Sequence, residues 1–138
     1  MNNRAPKTPD PRPDALSLTS LASPTDGPQA GDVLCQLGDI EDGKAKTFTF
    51  KKGTWRFEVF IQRQGEAFFA YENTCPHVGL PLNLNPTRFL DIKGEAIFCI
   101  NHAAYFNIAD GLCTKGPCRG KWLTPIALEL IDGQIIVA

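Results

Sequence analysis

The sequence predicts an all-β domain, built as an antiparallel sandwich or small barrel of about eight to ten short strands. Three observations predict it. Apolar residues recur at period two in several short runs. Turn residues, mostly Gly and Asp, punctuate those runs. No window of eleven or more residues carries the 3.6-residue period of an amphipathic helix. The chain has 138 residues, enough for one domain with its own core. Hydrophobic residues make up 43% and charged residues 21%, the balance of an ordinary globular protein.

Residues 1–30 stand apart. They hold six of the eleven prolines, with Ser, Thr and Asp, little apolar bulk, and three basic against three acidic residues. Such a segment buries too little surface to offset its chain entropy, so a disordered Pro-rich tail is expected there. The folded domain is expected over 31–138.

Val33 to Leu37 reads as the first strand and Lys46 to Phe50 as the second. Trp55, Phe57, Val59 and Ile61 fall at period two with Arg56, Glu58 and Phe60 between them, which predicts a half-buried strand. Gln64-Gly65 turns the chain into Ala67 to Tyr71. Arg88 to Ile92, Lys93-Gly94 and Ala96 to Phe98 read as a hairpin. Ile126, Leu128 and Leu130 alternate, Asp132-Gly133 turns, and Ile135 to Val137 closes the chain. Between the strands lie two long loops, 72–87 and 99–111, and a third with Gly and Pro at 114–121. Long loops in a compact domain are often functional.

The formal net charge is −1, which gives no electrostatic reason for nucleic acid or an anionic membrane as partner. No run approaches the roughly 18 consecutive apolar residues that cross a bilayer. The N-terminus has no apolar h-region and no twin-arginine pair, and three acids by residue 26 argue against a transit peptide. The expected compartment is the cytoplasm. Five cysteines there read as metal-binding or redox-active before they read as a disulfide framework.

Each of the first two loops offers one cysteine and one histidine. The first reads Cys75-Pro76-His77 and the second Cys99-Ile100-Asn101-His102, and these are the only two histidines in the chain. Two thiolates and two imidazoles suit a single tetrahedral zinc. They equally suit a two-iron cluster with the cysteines on one iron and the histidines on the other. A third reading leaves Cys75 and Cys99 as core cysteines without metal. Spacing favours the cluster. A one-residue spacer in an extended segment sets the two Cα atoms roughly 7 Å apart, and proline stiffens the link. That suits two side chains reaching two neighbouring metals better than one ion.

Glu72-Asn73-Thr74-Cys75-Pro76-His77-Val78-Gly79-Leu80-Pro81-Leu82 resembles the first ligand loop of Rieske ferredoxins and Rieske oxygenase domains. Phe98-Cys99-Ile100-Asn101-His102-Ala103-Ala104-Tyr105-Phe106 resembles the second. Asp110-Gly111-Leu112-Cys113-Thr114-Lys115-Gly116-Pro117-Cys118 resembles the family's Gly-Pro loop, which covers the cluster. The resemblance runs from about residue 33 to 138. It implies a Rieske-type antiparallel β-sandwich with an inserted cluster-binding subdomain, its loops at about 72–87 and 99–121. It implies one [2Fe–2S] cluster per chain, held by Cys75, His77, Cys99 and His102.

Departures from the family pattern also inform. The residue after the second histidine is usually glycine, and here it is Ala103. Respiratory-type members carry an extra cysteine in each ligand loop, joined as a disulfide; Leu80 and Asn101 occupy those places. Those members set hydroxyl side chains beside the cluster, where this chain has Ala104 and Phe106, which donate no hydrogen bond to the cluster sulfurs. A potential near the low end of the Rieske range, about −150 mV, is expected, with pH dependence confined to the alkaline range.

A Rieske oxygenase also needs a mononuclear iron, typically held by two further histidines and a carboxylate. No histidine is left for it. The resemblance therefore implies an electron carrier and no enzyme activity of its own. The expected partners are a flavoprotein reductase and a terminal oxygenase or similar acceptor. Two other classes stand beside it. One is an accessory subunit of a larger enzyme, like the small subunit of assimilatory nitrite reductase. The other is a redox sensor or a zinc-binding interaction module. Cys35 reads as core. Cys113 and Cys118 read as packing beneath the cluster, with a redox-active disulfide or a potential-tuning contact as the alternative. Lys115, Arg119 and Lys121 form a small basic group, solvated or facing an acidic partner. Trp55 and Trp122 read as core or loop anchors.

Overall fold

A computed structural model describes residues 9–21, 28–52, 54–76, 79–83, 85–101 and 103–138. Among them the chain forms nine strands, one helical turn α1 (Leu18–Leu21) and a 3-10 turn (Leu37–Asp39). The strands build three antiparallel three-stranded sheets. β1 (Val33–Gln36), β9 (Gln134–Val137) and β8 (Leu128–Ile131) form the first, with β9 central. β2 (Ala45–Lys52), β3 (Trp55–Gln64) and β4 (Ala67–Glu72) form the second around β3. β5 (Ile97–Cys99), β6 (Ala104–Phe106) and β7 (Cys113–Lys115) form the third, inserted between β4 and β8.

The first two sheets close on each other as a sandwich. Cys35, Val59, Ile61, Ala70, Ile135 and Val137 meet in one apolar cluster. The third sheet has its own core, in which Ile97, Cys99, Ala104, Phe106 and Cys113 join Phe60, Tyr71 and Phe89. β3 serves both cores. Val59 and Ile61 face the sandwich, while Phe60 points the other way and stacks on Phe89, with ring centroids 4.0 Å apart and planes 5° apart. The sequence reading of a half-buried strand is corrected here. Residues 59 to 62 are all buried, because the inserted subdomain covers the face that the alternation assigned to solvent.

Other differences are local. The first limb of the expected 88–98 hairpin shrinks to a single bridge between Leu90 and Ile97. The expected turn at Lys93-Gly94 is kept, with Gly94 at φ +71° donating its N–H to Asp91 O at 3.0 Å, and Asp91 Oδ1 accepts from Glu95 N at 2.9 Å. The expected loop over 99–111 contains β6, and β7 opens the third loop; each strand is only three residues long. The expected disordered tail does not hold over residues 9–18. Leu18 is buried in the sandwich core. Leu16 bridges Ile126 in parallel, with Leu16 N donating to Pro125 O at 2.9 Å and Ala127 N to Leu16 O at 2.8 Å. Leu16 and Leu18 supply the anchor, and the prolines between 9 and 13 favour an extended path to it. Residues 1–8 and 22–27 of that expected tail lie outside the described residues.

Candidate metal centre

Loop one leaves the end of β4 and is pinned at its base by Asn73, a buried polar side chain. Asn73 N donates to Glu58 O at 2.8 Å and its Nδ2 to Glu58 Oε2 at 3.2 Å. Its Oδ1 accepts from Leu82 N at 2.9 Å, which ties the outgoing limb of the loop to the returning one. A buried amide that both donates and accepts in this way fixes one loop conformation. Inside that frame Cys75 N donates to Leu80 O at 2.7 Å, and Gly79 N to Cys75 O at 2.8 Å, so the chain closes tightly around the cysteine.

Loop two is the connection from β5 to β6, where Cys99 pairs with Ala104. Ala103 takes φ +54°, the left-handed region. That is the position at which the sequence departs from the family's glycine, and the backbone keeps the glycine-like geometry. The two loops are joined directly. Ile100 N donates to Leu82 O at 3.0 Å, and Asn101 Nδ2 donates to Pro81 O at 2.8 Å. The same Nδ2 lies 3.5 Å from Cys99 Sγ, within donating range of sulfur.

The structure thus brings Cys75 and Cys99, both buried, to two loops hydrogen-bonded to each other. His77 and His102 lie outside the described residues.

The third loop lies against loop two. Gly116 has φ +101°, and a Cβ there would meet Ala104 Cα at 2.8 Å and Ala103 O at 3.2 Å. Only glycine permits this approach of backbone to backbone. The neck of the loop is closed by Cys113 N to Lys121 O at 2.8 Å and Gly120 N to Cys113 O at 3.1 Å. Cys113 and Cys118 are buried beneath it. Burial pushes the Cys118 thiol well above the ordinary cysteine range, and its contacts with Cys113 and Cys75 add to that. The loop's basic group divides: Lys121 Nζ stands 3.8 Å from Asp10 Oδ2, and Lys115 lies over the Tyr105 ring at 5.6 Å. Trp122 is a loop anchor, its Nε1 donating to Asp10 O while Arg12 lies over its ring.

Two functional residues escaped the sequence reading. In the sequence Asn101 marks only a place where a cysteine is absent, yet its side chain links the two loops. Asn73 stood inside the quoted motif with no role. An asparagine two residues before a candidate ligand was the available signal.

The donor set and its surroundings fit an iron–sulfur centre. The thiols are shielded from water, the loops that carry them are fixed to each other, and an amide donor is aimed at one thiol sulfur. The fold and this pair of loops define a small β domain that presents two buried thiols on adjoining loops.

The model of the Rieske [2Fe–2S] domain family matches residues 32–130, and the chain belongs to that family. Its cofactor is accordingly a Rieske-type [2Fe–2S] cluster, which takes up and releases single electrons. Ferredoxin CarAc of Metapseudomonas resinovorans is 28% identical over 105 residues, covering 76% of this chain and 90% of that protein. The ferredoxin of carbazole 1,9a-dioxygenase from Nocardioides aromaticivorans IC177 superposes with TM-score 0.62 at 21% identity, over 80% of this chain and 98% of that one. A chain in the complex of reduced oxygenase and oxidized ferredoxin in carbazole 1,9a-dioxygenase matches with TM-score 0.61 at 26% identity, over 80% and 94%. The chain is therefore similar to ferredoxins over nearly their whole length. Such proteins are electron carriers rather than catalysts. Among the described residues no helix is long and apolar enough to cross a membrane.

Proposed function

We propose that Cys75 and Cys99 bind one iron of the cluster and His77 and His102 the other, and that the chain carries electrons in the cytoplasm from a flavoprotein reductase to a terminal oxygenase. The observation that carries this reading is the hydrogen-bonded pair of loops presenting two buried thiols, on a chain that matches ferredoxins over nearly their whole length. The related ferredoxin solved together with its oxygenase supports the class of acceptor. Leu80 on loop one and Ile100 on loop two are about half exposed, which gives the loop tips an apolar face for docking. The Rieske domain is assigned to about 31–138, with the preceding segment appended to it.

The test is anaerobic expression followed by iron, sulfide and zinc analysis, EPR after dithionite reduction, and a redox titration. Iron and sulfide in equal amounts, the low average g value that histidine ligation produces, and a midpoint near about −150 mV are expected. Replacing His77 or His102 with Ala should abolish that EPR signal. Zinc without sulfide would overturn the reading and turn the chain into a zinc-binding module.

A further inference from the structure

Two buried thiols beside these loops lie outside the proposed ligand set. Cys113 opens β7, and Cys118 sits in the turn that follows Gly116-Pro117. Both are buried and unbridged, and their sulfurs stand 3.1 Å apart, closer than two sulfurs in simple van der Waals contact. The backbone sets this approach. Cys113 N donates to Lys121 O and Gly120 N to Cys113 O, while Lys121 N donates to Cys118 O at 2.8 Å and Arg119 N to Gly116 O at 3.2 Å. Both cysteines therefore sit on a closed, hydrogen-bonded loop that holds the sulfurs face to face.

We propose that Cys113 and Cys118 form an oxidative modification site, a dithiol that hydrogen peroxide converts to a disulfide within the loop. The oxidant must be small, because both sulfurs are shielded from solvent. In the first step one sulfur attacks peroxide, the O–O bond breaks, a sulfenic acid forms and one water leaves. The second sulfur then attacks the sulfenic sulfur, the S–S bond forms, the S–O bond breaks and a second water leaves. Two electrons pass from the sulfur pair to peroxide, and both thiol protons end in water.

The cross-link does little for stability. It closes a loop of only four intervening residues, so it removes less entropy from the unfolded chain than a long loop would. Its effect falls on the neighbour. The Cys118 side chain also contacts Cys75. Cys118 Sγ donates to Cys113 Sγ and Cys113 Sγ to Lys115 O, so oxidation removes both thiol protons from the buried core that contains Cys75, and an iron–sulfur cluster with fewer donors around it has a lower potential. The oxidised loop thus makes the carrier harder to reduce. This effect rests on Cys75 being a cluster ligand, whereas the cross-link itself does not.

The test uses the full-length, cluster-loaded protein. It is treated with a small excess of peroxide, its open thiols are alkylated under denaturing conditions, and it is digested with trypsin without reductant. Trypsin cuts after Lys115 and Arg119, so the oxidised loop joins peptide 116–119, with Cys118, to peptide 94–115, in which fragmentation must find the other cysteine, Cys99, alkylated, and the reduced loop leaves the two peptides apart. Joined peptides, lighter by two hydrogens than their sum and separated by reductant, are the expected result. Cys113 and Cys118 both alkylated in protein whose Cys35 is oxidised would overturn the proposal. Visible and EPR spectra of the same samples report cluster loss separately, so failure of the cluster assignment and failure of the cross-link are told apart. The midpoint should move negative on oxidation and return with reductant, and it should stay fixed under the same treatment in Cys113→Ser or, if that variant misfolds, Cys118→Ala. An unchanged midpoint in fully cross-linked wild-type protein would sink the effect on the cluster.

Discussion

Ala103 holds φ +54° one residue beyond His102 and directly before β6. For a residue with a Cβ, that backbone costs roughly 1–2 kcal/mol, and glycine avoids the clash at some entropic expense. Ala103→Gly should therefore raise stability by up to about 1 kcal/mol, read as a higher denaturant midpoint of the cluster-loaded protein. No gain would mean that the turn relaxes around alanine. Asn101, two positions earlier, does electrostatic as well as structural work. Its amide spans from Pro81 O to Cys99 Sγ, and on the proposed ligand set a donor at that sulfur favours the reduced cluster. A hydrogen bond of about 0.5–1.5 kcal/mol corresponds to about 20–60 mV for one electron. Asn101→Ala should lower the midpoint by about that much, and an unmoved midpoint would reduce Asn101 to a loop tie. The two residues differ in how far the sequence reveals them. Ala103 is visible because the motif names its place. The role of Asn101 is hidden because its main partner is a backbone carbonyl twenty residues earlier, which no local pattern encodes.

At the level of elements, the strands were legible in the apolar and alternating runs, short ones such as β1 and β5 included, and only β6 and β7 were not. β2, β3, β4, β8 and β9 follow the period-two runs closely, since each is long enough, or near enough to a Gly turn, for alternation to show. β6 and β7 carry three residues each, too few for a period, and they exist because pairing with neighbours and the Gly116 contact hold them. The double burial of β3 was also hidden. Phe60 reads as an outward residue on a two-sided strand, and only the insertion of the third sheet turns that side into core. The third loop tests how far the inserted sheet depends on close approach. Gly116→Ala puts a methyl 2.8 Å from Ala104 Cα at a positive φ, so the loop must lift. A loss of about 1–3 kcal/mol is expected, with faster loss of the visible cluster band in air, because the cover over loop two opens. A variant as stable as the parent with an equally durable cluster would show that the loop lifts without cost.

At the level of the whole molecule, composition misled where a few residues decided. Proline and polar content argued for a free tail over 1–30, but Leu16 and Leu18 are enough to strap residues 9–18 across the sandwich and, through Asp10 and Trp122, onto the third loop. Composition averages over a segment, whereas anchoring needs only two buried side chains. The seam between sandwich and subdomain is held by Tyr71, which is buried, bridges Pro125, and donates its hydroxyl to Ile108 O at 2.6 Å. Burial raises its pKa above the ordinary tyrosine value, with Arg12 opposing and Asp110 reinforcing. The folded protein therefore keeps the phenol proton at a pH where the unfolded chain has released it. Stability from this group is complete below about pH 10, the unfolded tyrosine value, and is lost progressively as pH rises above it. Tyr71→Phe removes both the titration and the hydrogen bond. It should cost about 0.5–1.5 kcal/mol at neutral pH, from the bond to Ile108, yet lose less stability than the parent on going to higher pH. Chemical denaturation of both proteins across pH 7 to 11 checks this. Curves that converge toward alkaline pH place the titration at the seam, while parallel curves would assign the alkaline loss to another group and leave Tyr71 a hydrogen-bond donor alone.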